Sequence, residues 1–434
     1  MSELIDAVLA GASGEELARL PLPDAYRAAY LRKKDAGMFG DEPTPDVRRS
    51  LHVGEVDVPE VAPDEVVVAV MASSINYNTV WSAMFRPMST FHFLERFGRE
   101  DRWAARHDLD YQVVGSDAAG IIVRTGAGVS HWEPGDRVVV QPSTTDPEGP
   151  RYSEEGRIPR AWGYETNFGG LGDLTVVKAD QLLPKPKHLS WEEAAVNTLC
   201  AMTSYRMLVS PNGAGMKQGD VVLIWGAAGG LGSYAVQLVR NGGGIPVPVV
   251  SSDRKARLVR ALGAEAVLDR REFGDGTLDE PKTRRRIGKA IRDVAGEDPH
   301  IVFEHTGKET FGASVFLARS GGTVVTCGSS SGYRHEYDNR YLWMNLKRIV
   351  GSHGASRAEA IQTNRLLSLG MLLPVLSASH PLEEVGQASR SLQLGEHLGK
   401  VAVRCLAPHD GLGIEDHELR ARIGEERLTL FRDP

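Results

Sequence analysis

The sequence predicts an α/β protein with a β-rich first domain and a doubly wound, parallel sheet in its second half. Three observations carry this. Short β runs punctuated by turn residues recur from about Ser50 to Val140. Apolar runs and helical patterns alternate from Val221 to Thr326. At the head of that alternation, Asp220–Lys255 reads DVVLIWGAAGGLGSYAVQLVRNGGGIPVPVVSSDRK: a buried strand, a glycine-rich turn and a helix.

In that stretch Val221–Trp225 is continuously apolar, and a helix-compatible pattern runs from Tyr234 to Val239. Gly226, Gly229 and Gly232 punctuate the turn, with Gly230 and Leu231 between the last two. Backbone without a Cβ turns sharply and approaches a pyrophosphate, whose charge is favoured at a helix N-terminus. This is a Rossmann-type dinucleotide-binding pattern, although the spacing is GxxGxxG rather than GxGxxG, and a plain βα turn is the alternative. About 20 residues beyond the last of these glycines, where an NAD enzyme places an acid on the ribose, the chain reads Ser251, Ser252, Asp253, Arg254, Lys255. Hydroxyls with cations suit a 2'-phosphate, so NADP(H) is expected, provided that Asp253 points away. Arg270, in LDRRE, is either a further cation for that phosphate or a solvated surface arginine.

The 434 residues, 41% hydrophobic and 25% charged, give room for two domains with sizeable cores. A net charge of -7 excludes a nucleic-acid partner held by bulk charge, so an anionic ligand must meet local cations. Cys200, Cys327 and Cys405 form no CxxC pair, which fits a reducing cytoplasmic setting without disulfides. The opening MSELIDAVLAG carries acids where a signal peptide needs bases. Val221–Val239 lacks charge, but its GAAGGL centre speaks against a membrane span, and no membrane partner is expected.

Taken in order, residues 1–195 are expected to form the first domain with an N-terminal helical extension, 196–371 the nucleotide domain, and 372–434 a tail returning to the first domain. Residues 1–34 read as two or three short helices, with Ser13 and Glu16 in capping-box spacing and Pro23 opening the next. Glu65–Met71, Ala119–Arg124 and Arg137–Val140 read as strands, 143–161 as an exposed loop, Leu174–Lys178 as a lone strand and Trp191–Ser210 as one helix. Strands follow near Val267, Ile301–Phe303 and Thr323–Thr326, while Arg284–Arg286 reads as a solvated helix face.

The arrangement resembles the medium-chain dehydrogenase/reductase superfamily, which implies a GroES-like β-rich catalytic domain beside the Rossmann-type domain. The zinc branch of that superfamily carries GHE and a four-cysteine lobe. Here the stretch reads Gly115, Ser116, Asp117 and those cysteines are missing, so no metal is expected. Longer words narrow the likeness: NYNTVW at 76–81, STFHFLERFGR at 89–99, HDLDYQVVGSDAAG at 107–120, ETNFGGL at 165–171, NGAGMKQGD at 212–220, HEYDNRYLWMNLKRIVGSH at 335–353 and CLAP at 405–408. With FGASV at 311–315 they resemble the crotonyl-CoA carboxylase/reductase family over nearly the whole chain.

That resemblance implies an NADPH-dependent reductive carboxylase. Hydride goes to the β-carbon of a 2-enoyl-CoA thioester, and the enolate attacks carbon dioxide (CO2) to give an alkylmalonyl-CoA, an extender unit for biosynthesis. By motif, the residues that hold the gas map onto Asn78 in NYN, Tyr164 and Glu165 in GYE, and His353 in GSH. Arg340 and Tyr341 in DNRYLW become candidates for the CoA nucleotide, and a homotetramer, a dimer of dimers, is expected. The chemistry is reasonable in itself: CO2 has no dipole and needs fixed donors, and an enolate survives only where water and acids are kept away. Asn78 as a turn residue, Glu165 as an acid ordering the glycine-rich loop and His353 as a core histidine are the structural alternatives. His107, His131 and His305 read as structural or surface groups.

Three departures from the family pattern bear on function. Tyr164 replaces a phenylalanine, and its phenol either donates to CO2 or protonates the enolate, which would leave a plain 2-enoyl-CoA reductase. Gly354 follows His353 where the family has phenylalanine, and Gly328 stands for alanine. Both changes remove side-chain volume, so an acyl chain longer or bulkier than crotonyl is expected. A catalytically idle NADPH-binding protein on the same fold is the remaining alternative.

Overall fold

The computed structural model describes residues 2–144, 159–274, 277–278 and 280–432. The chain divides into two units. The first runs to Leu199 and regains Ser356–Ser368 and Leu376–Leu428; the second comprises Cys200–Ala355, Leu369–Val375 and the residues from Thr429.

The first unit opens with helices Glu3–Leu9 and Gly14–Arg19, and both halves of the Ser13/Glu16 capping box form. The helix expected after Pro23 is instead a strand. Alanine favours helix in AYRAAYLR, but pairing on both sides overrides that weak preference. The strands are β1 Ala25–Arg32, β2 His52–Asp57, β3 Glu65–Ile75, β4 Tyr111–Val113, β5 Ala118–Thr125, β6 Arg137–Val140, β7 Ser143–Thr144, β8 Arg160–Ala161, β9 Leu174–Lys178 and β10 Leu182–Pro184. A three-stranded sheet has the order β2-β1-β4. The larger sheet runs β10-β6-β5-β3, then continues through Lys400–Arg404 to Leu376–Pro381. All 11 residues of β3 are buried, and Val66, Val68 and Val70 pack with Ile122, Trp162 and Leu171.

Two further expectations are corrected. Leu174–Lys178 is not a lone strand, since β9 pairs antiparallel with β3. Trp191–Ser210 is two helices, Trp191–Ala195 and Thr198–Leu208. Asn197 breaks them, its Nδ2 donating to the Glu193 carbonyl at 2.7 Å in place of a continuing backbone bond. The exposed loop expected over 143–161 falls mostly on 145–158, outside the described residues.

The second unit is one parallel sheet: β11 Val221–Ile224, β12 Ile245–Val250, β13 Leu268–Asp269, β14 Ile301–Glu304, β15 Thr323–Thr326 and β16 Arg348–Gly351, in the order β13-β12-β11-β14-β15-β16. The order reverses between β11 and β14, and a ligand crevice belongs beyond the carboxyl ends of the strands at that point. Leu223, Val247, Val302 and Val324 fill the core against Ile287 and Ile291 of helix Pro281–Ala295. At the edge, Arg348 and Gly351 of β16 are exposed.

Candidate active site

In the first unit the GSD turn organises the predicted residues. Asn76 caps helix Tyr77–Met84, so Asn78 lies in its first turn. The two asparagines have different partners. Asn76 Nδ2 donates to Asp117 Oδ2 at 2.7 Å and its Oδ1 accepts from the Lys400 ammonium. Asn78 Nδ2 donates to Ser116 Oγ at 2.8 Å, and its buried Oδ1 has no hydrogen-bond partner.

Asp117, fully buried, also accepts from Ser74 Oγ at 2.6 Å, Leu199 N at 2.7 Å, Lys400 Nζ at 3.0 Å and the Thr198 hydroxyl. Donors surround its two oxygens, which is what a buried carboxylate requires. Among the described residues, no group of three or more His, Cys, Asp or Glu side chains could hold a metal ion.

The segment bearing Tyr164 and Glu165 packs backbone to backbone on this turn. A Cβ on Gly163, at φ +70°, would lie 2.0 Å from the Gly115 carbonyl oxygen. Asn167 fastens the rest of the loop: Oδ1 accepts from Val113 N and Phe168 N, both at 2.8 Å, and Nδ2 donates to Tyr111 O at 2.8 Å. Phe168 is thereby held at φ +62°, a costly conformation for a side chain of that size. Glu165 Oε2 accepts from Ala161 N at 2.8 Å. Tyr164 stacks at a tilt on Phe93, centroids 5.8 Å apart, and burial, then the Glu165 charge, pushes its phenol up to about 12. Gln112 Nε2 holds the Tyr164 carbonyl at 2.9 Å.

His107 is structural. Its Nδ1 accepts from Asn167 N at 3.0 Å between Phe97 and Phe168, and burial pushes it down to about 3. His305 is structural as well. Its ring lies under the glycine turn, with Nε2 2.9 Å from the Trp225 carbonyl, and burial lowers its pKa.

In the second unit the glycine turn follows β11. Gly226 has φ +56°, and a Cβ on Gly232 would lie 2.4 Å from the Gly226 carbonyl oxygen. Gly229 caps helix Gly230–Asn241, and Ser204 Oγ holds the Leu231 carbonyl at 3.0 Å. After β12, Ser252 caps helix Asp253–Ala261, Lys255 Nζ donates to Ser251 Oγ at 3.2 Å, and burial, then Arg270, lowers the Lys255 pKa. Two positive groups thus crowd beside two hydroxyls, while exposed Asp253 is drawn to Arg271 at 2.5 Å. This donor set fits a 2'-phosphate, and the bare turn fits a pyrophosphate.

His353 follows β16 and is exposed, so it is not a core histidine. Gly354 and Gly328 both have positive φ, +55° and +65°, so glycine there answers to the backbone as well as to volume. Arg340 forks onto Asp338 at 2.6 and 3.0 Å, and Tyr341 packs edge-on to Phe316 with centroids 4.9 Å apart. Sequence reasoning missed Ser116 as a bridge, and Lys400, Gln112, Asn167 and Arg271 altogether. A lysine heading the apolar strand Lys400–Arg404 was a visible signal.

A GroES-like sheet domain together with a Rossmann-type sheet carrying this turn defines a dehydrogenase/reductase of the medium-chain class. The alcohol dehydrogenase GroES-like domain family matches residues 62–187, and the zinc-binding dehydrogenase family matches residues 230–368. Crotonyl-CoA reductase of Streptomyces avermitilis is 52% identical, over 97% of this chain and 98% of its own. Crotonyl-CoA carboxylase/reductase of Cereibacter sphaeroides is 37% identical, over 84% and 86%. The solved 2-octenoyl-CoA carboxylase reductase CinF, in complex with NADP and 2-octenoyl-CoA, superposes with a TM-score of 0.96 at 58% identity, covering 99% of each chain. The chain belongs to the crotonyl-CoA carboxylase/reductase family and is an oxidoreductase.

Proposed function

We propose that this enzyme reduces and carboxylates a 2-enoyl-CoA with NADPH and CO2, giving an alkylmalonyl-CoA. NADPH, when bound, supplies the hydride that the β-carbon accepts. Gly226, Gly229, Gly230, Leu231 and Gly232 hold its pyrophosphate; Ser251, Ser252, Lys255 and Arg270 hold its 2'-phosphate. Asn78 and Glu165, assisted by the ring of Tyr164 and by His353, hold CO2 for the electron-rich α-carbon.

The observation that carries this reading is the immobilisation of Asn78 and Glu165 by partners inside the protein, at 2.8 Å each, so that their orientation costs nothing during reaction. A Tyr164 phenol pushed up to about 12 supports carboxylation over protonation, because a weaker acid gives up its proton more slowly. Turnover with labelled bicarbonate tests the proposal: acid-stable label in the product is expected, and a saturated acyl-CoA as sole product overturns it in favour of a plain reductase.

The acyl chain is proposed to be longer than crotonyl. Gly328 and Gly354 lack side chains, and CinF, at 58% identity, is a 2-octenoyl-CoA enzyme. Arg340 and Tyr341, which also engage Asp338 and Phe316, are proposed to meet the CoA nucleotide. A cytoplasmic homotetramer is proposed as well. Trp343, Met344 and Leu346, exposed at 62, 63 and 79%, lie close in sequence to the edge strand β16. Light scattering giving a monomer mass would overturn that assembly.

A further inference from the structure

We infer that Ser116 is a positioning residue for carboxylation: its single hydroxyl sets the orientation of the Asn78 amide and ties it to the backbone that carries Glu165. This rests on the reading of Asn78 and Glu165 given above.

The hydroxyl has one proton to give. It donates that proton to the Trp162 carbonyl, an acceptor only, at 2.6 Å. Ser116 Oγ must therefore accept from its other neighbour, and Asn78 Nδ2, 2.8 Å away, is the donor. Turning the amide over would set Oδ1 against an oxygen whose proton is committed elsewhere. The direction of the whole chain, Asn78 to Ser116 to Trp162, is thus decided by the Trp162 carbonyl. One amide proton is spent on Ser116 and the second remains for an oxygen of CO2, while Oδ1 stays buried without a partner.

The far end of the chain is equally restrained. Trp162 is 2% exposed; its N–H donates to Pro142 O at 2.8 Å and its Nε1 to Phe168 O at 2.9 Å. Its neighbour Ala161 holds Glu165 twice, accepting from Glu165 N at 2.7 Å and donating to Glu165 Oε2 at 2.8 Å. Adjacent residues therefore anchor the two halves of the proposed CO2 niche, Ala161 for Glu165 and Trp162, through Ser116, for Asn78. Ser116 is fully buried, so no water replaces its oxygen readily once it is lost.

The test measures the ratio of alkylmalonyl-CoA to saturated acyl-CoA, and the KM for CO2, in Ser116→Ala, Asn78→Ala and the double variant. Ser116→Ala should lower the ratio roughly five- to tenfold, the effect of one buried hydrogen bond, and raise the KM for CO2. In the double variant, Ser116→Ala should add nothing to the loss caused by Asn78→Ala, because the two act as one chain. Ser116→Cys, which keeps the buried volume with a weaker donor, should fall between and serves if the alanine variant misfolds. Parallel loss of both products at an unchanged ratio, or additive losses in the double variant, overturns the positioning role. If Asn78→Ala itself leaves the ratio unchanged, the reading of Asn78 fails and this inference with it; if only Ser116→Ala leaves it unchanged, the inference alone fails.

Discussion

Lys400 Nζ lies 3.0 Å from Asp117 Oδ2, with the lysine 2% exposed and the aspartate fully buried. The ammonium also donates to Ile75 O at 2.8 Å and to Asn76 Oδ1, so it pins the end of β3 and the cap of the helix bearing Asn78. Removing one member of such a pair strands the other as an uncompensated buried charge. Lys400→Met should therefore destabilise the protein by about 3–5 kcal/mol, and adding Asp117→Asn should recover part of that loss. Urea denaturation of the single and double variants checks this.

Arg271 should govern cofactor choice without touching the nucleotide. Its guanidinium draws Asp253 aside, and Arg271→Ala releases that carboxylate beside Ser251 and Lys255. The KM for NADPH should rise about three- to tenfold with a smaller change for NADH, limited by solvent screening around exposed Asp253. Asp253→Asn in the same background should restore the preference.

Acid should weaken the fold through His107. Its folded pKa is pushed down to about 3 by burial, against an ordinary value near 6.5 when unfolded. Between those values the unfolded chain binds the extra proton. The stabilisation is complete above pH ~6.5 and is lost as the pH falls toward ~3, by up to ~1.4 kcal/mol per pH unit. His188, pushed down to about 4 by burial with both ring nitrogens lacking partners, acts in the same direction. Denaturation at pH 7.5 and pH 5 should show the loss, and His107→Gln, which does not titrate, should reduce its slope.

Tyr164→Phe should change the product ratio less than about twofold. With its phenol pushed up to about 12, Tyr164 stays neutral and a poor proton donor throughout the working pH range. A large gain in carboxylated product would instead reveal Tyr164 as a source of leaking protons. The labelled-bicarbonate assay decides between the two.

The apolar skeleton was legible in the sequence because its strands are buried on both faces. Arg137–Val140, Leu174–Lys178 and Thr323–Thr326 emerge with the bounds their composition implies. Ala25–Arg32 does not, because alanine hides a strand whose existence depends on partners from 52–57 and 111–113. The motif words marked Asn78 and Glu165 but not what holds them. Lys400 reaches Asp117 only because Val401 pairs with Ile75 across the sheet, a register that no local pattern encodes. The helical setting of Asn78 was likewise hidden, since the three residues NYN suit an extended segment equally well.

The contact between Gly163 and the Gly115 carbonyl restricts how this catalyst can be reshaped. Any side chain at 163 collides with backbone, and one at 115 meets Leu171 at 2.8 Å, so randomising either position should yield mostly misfolded clones. Libraries that vary the neighbouring Tyr164–Phe93 ring pair should leave both glycines untouched.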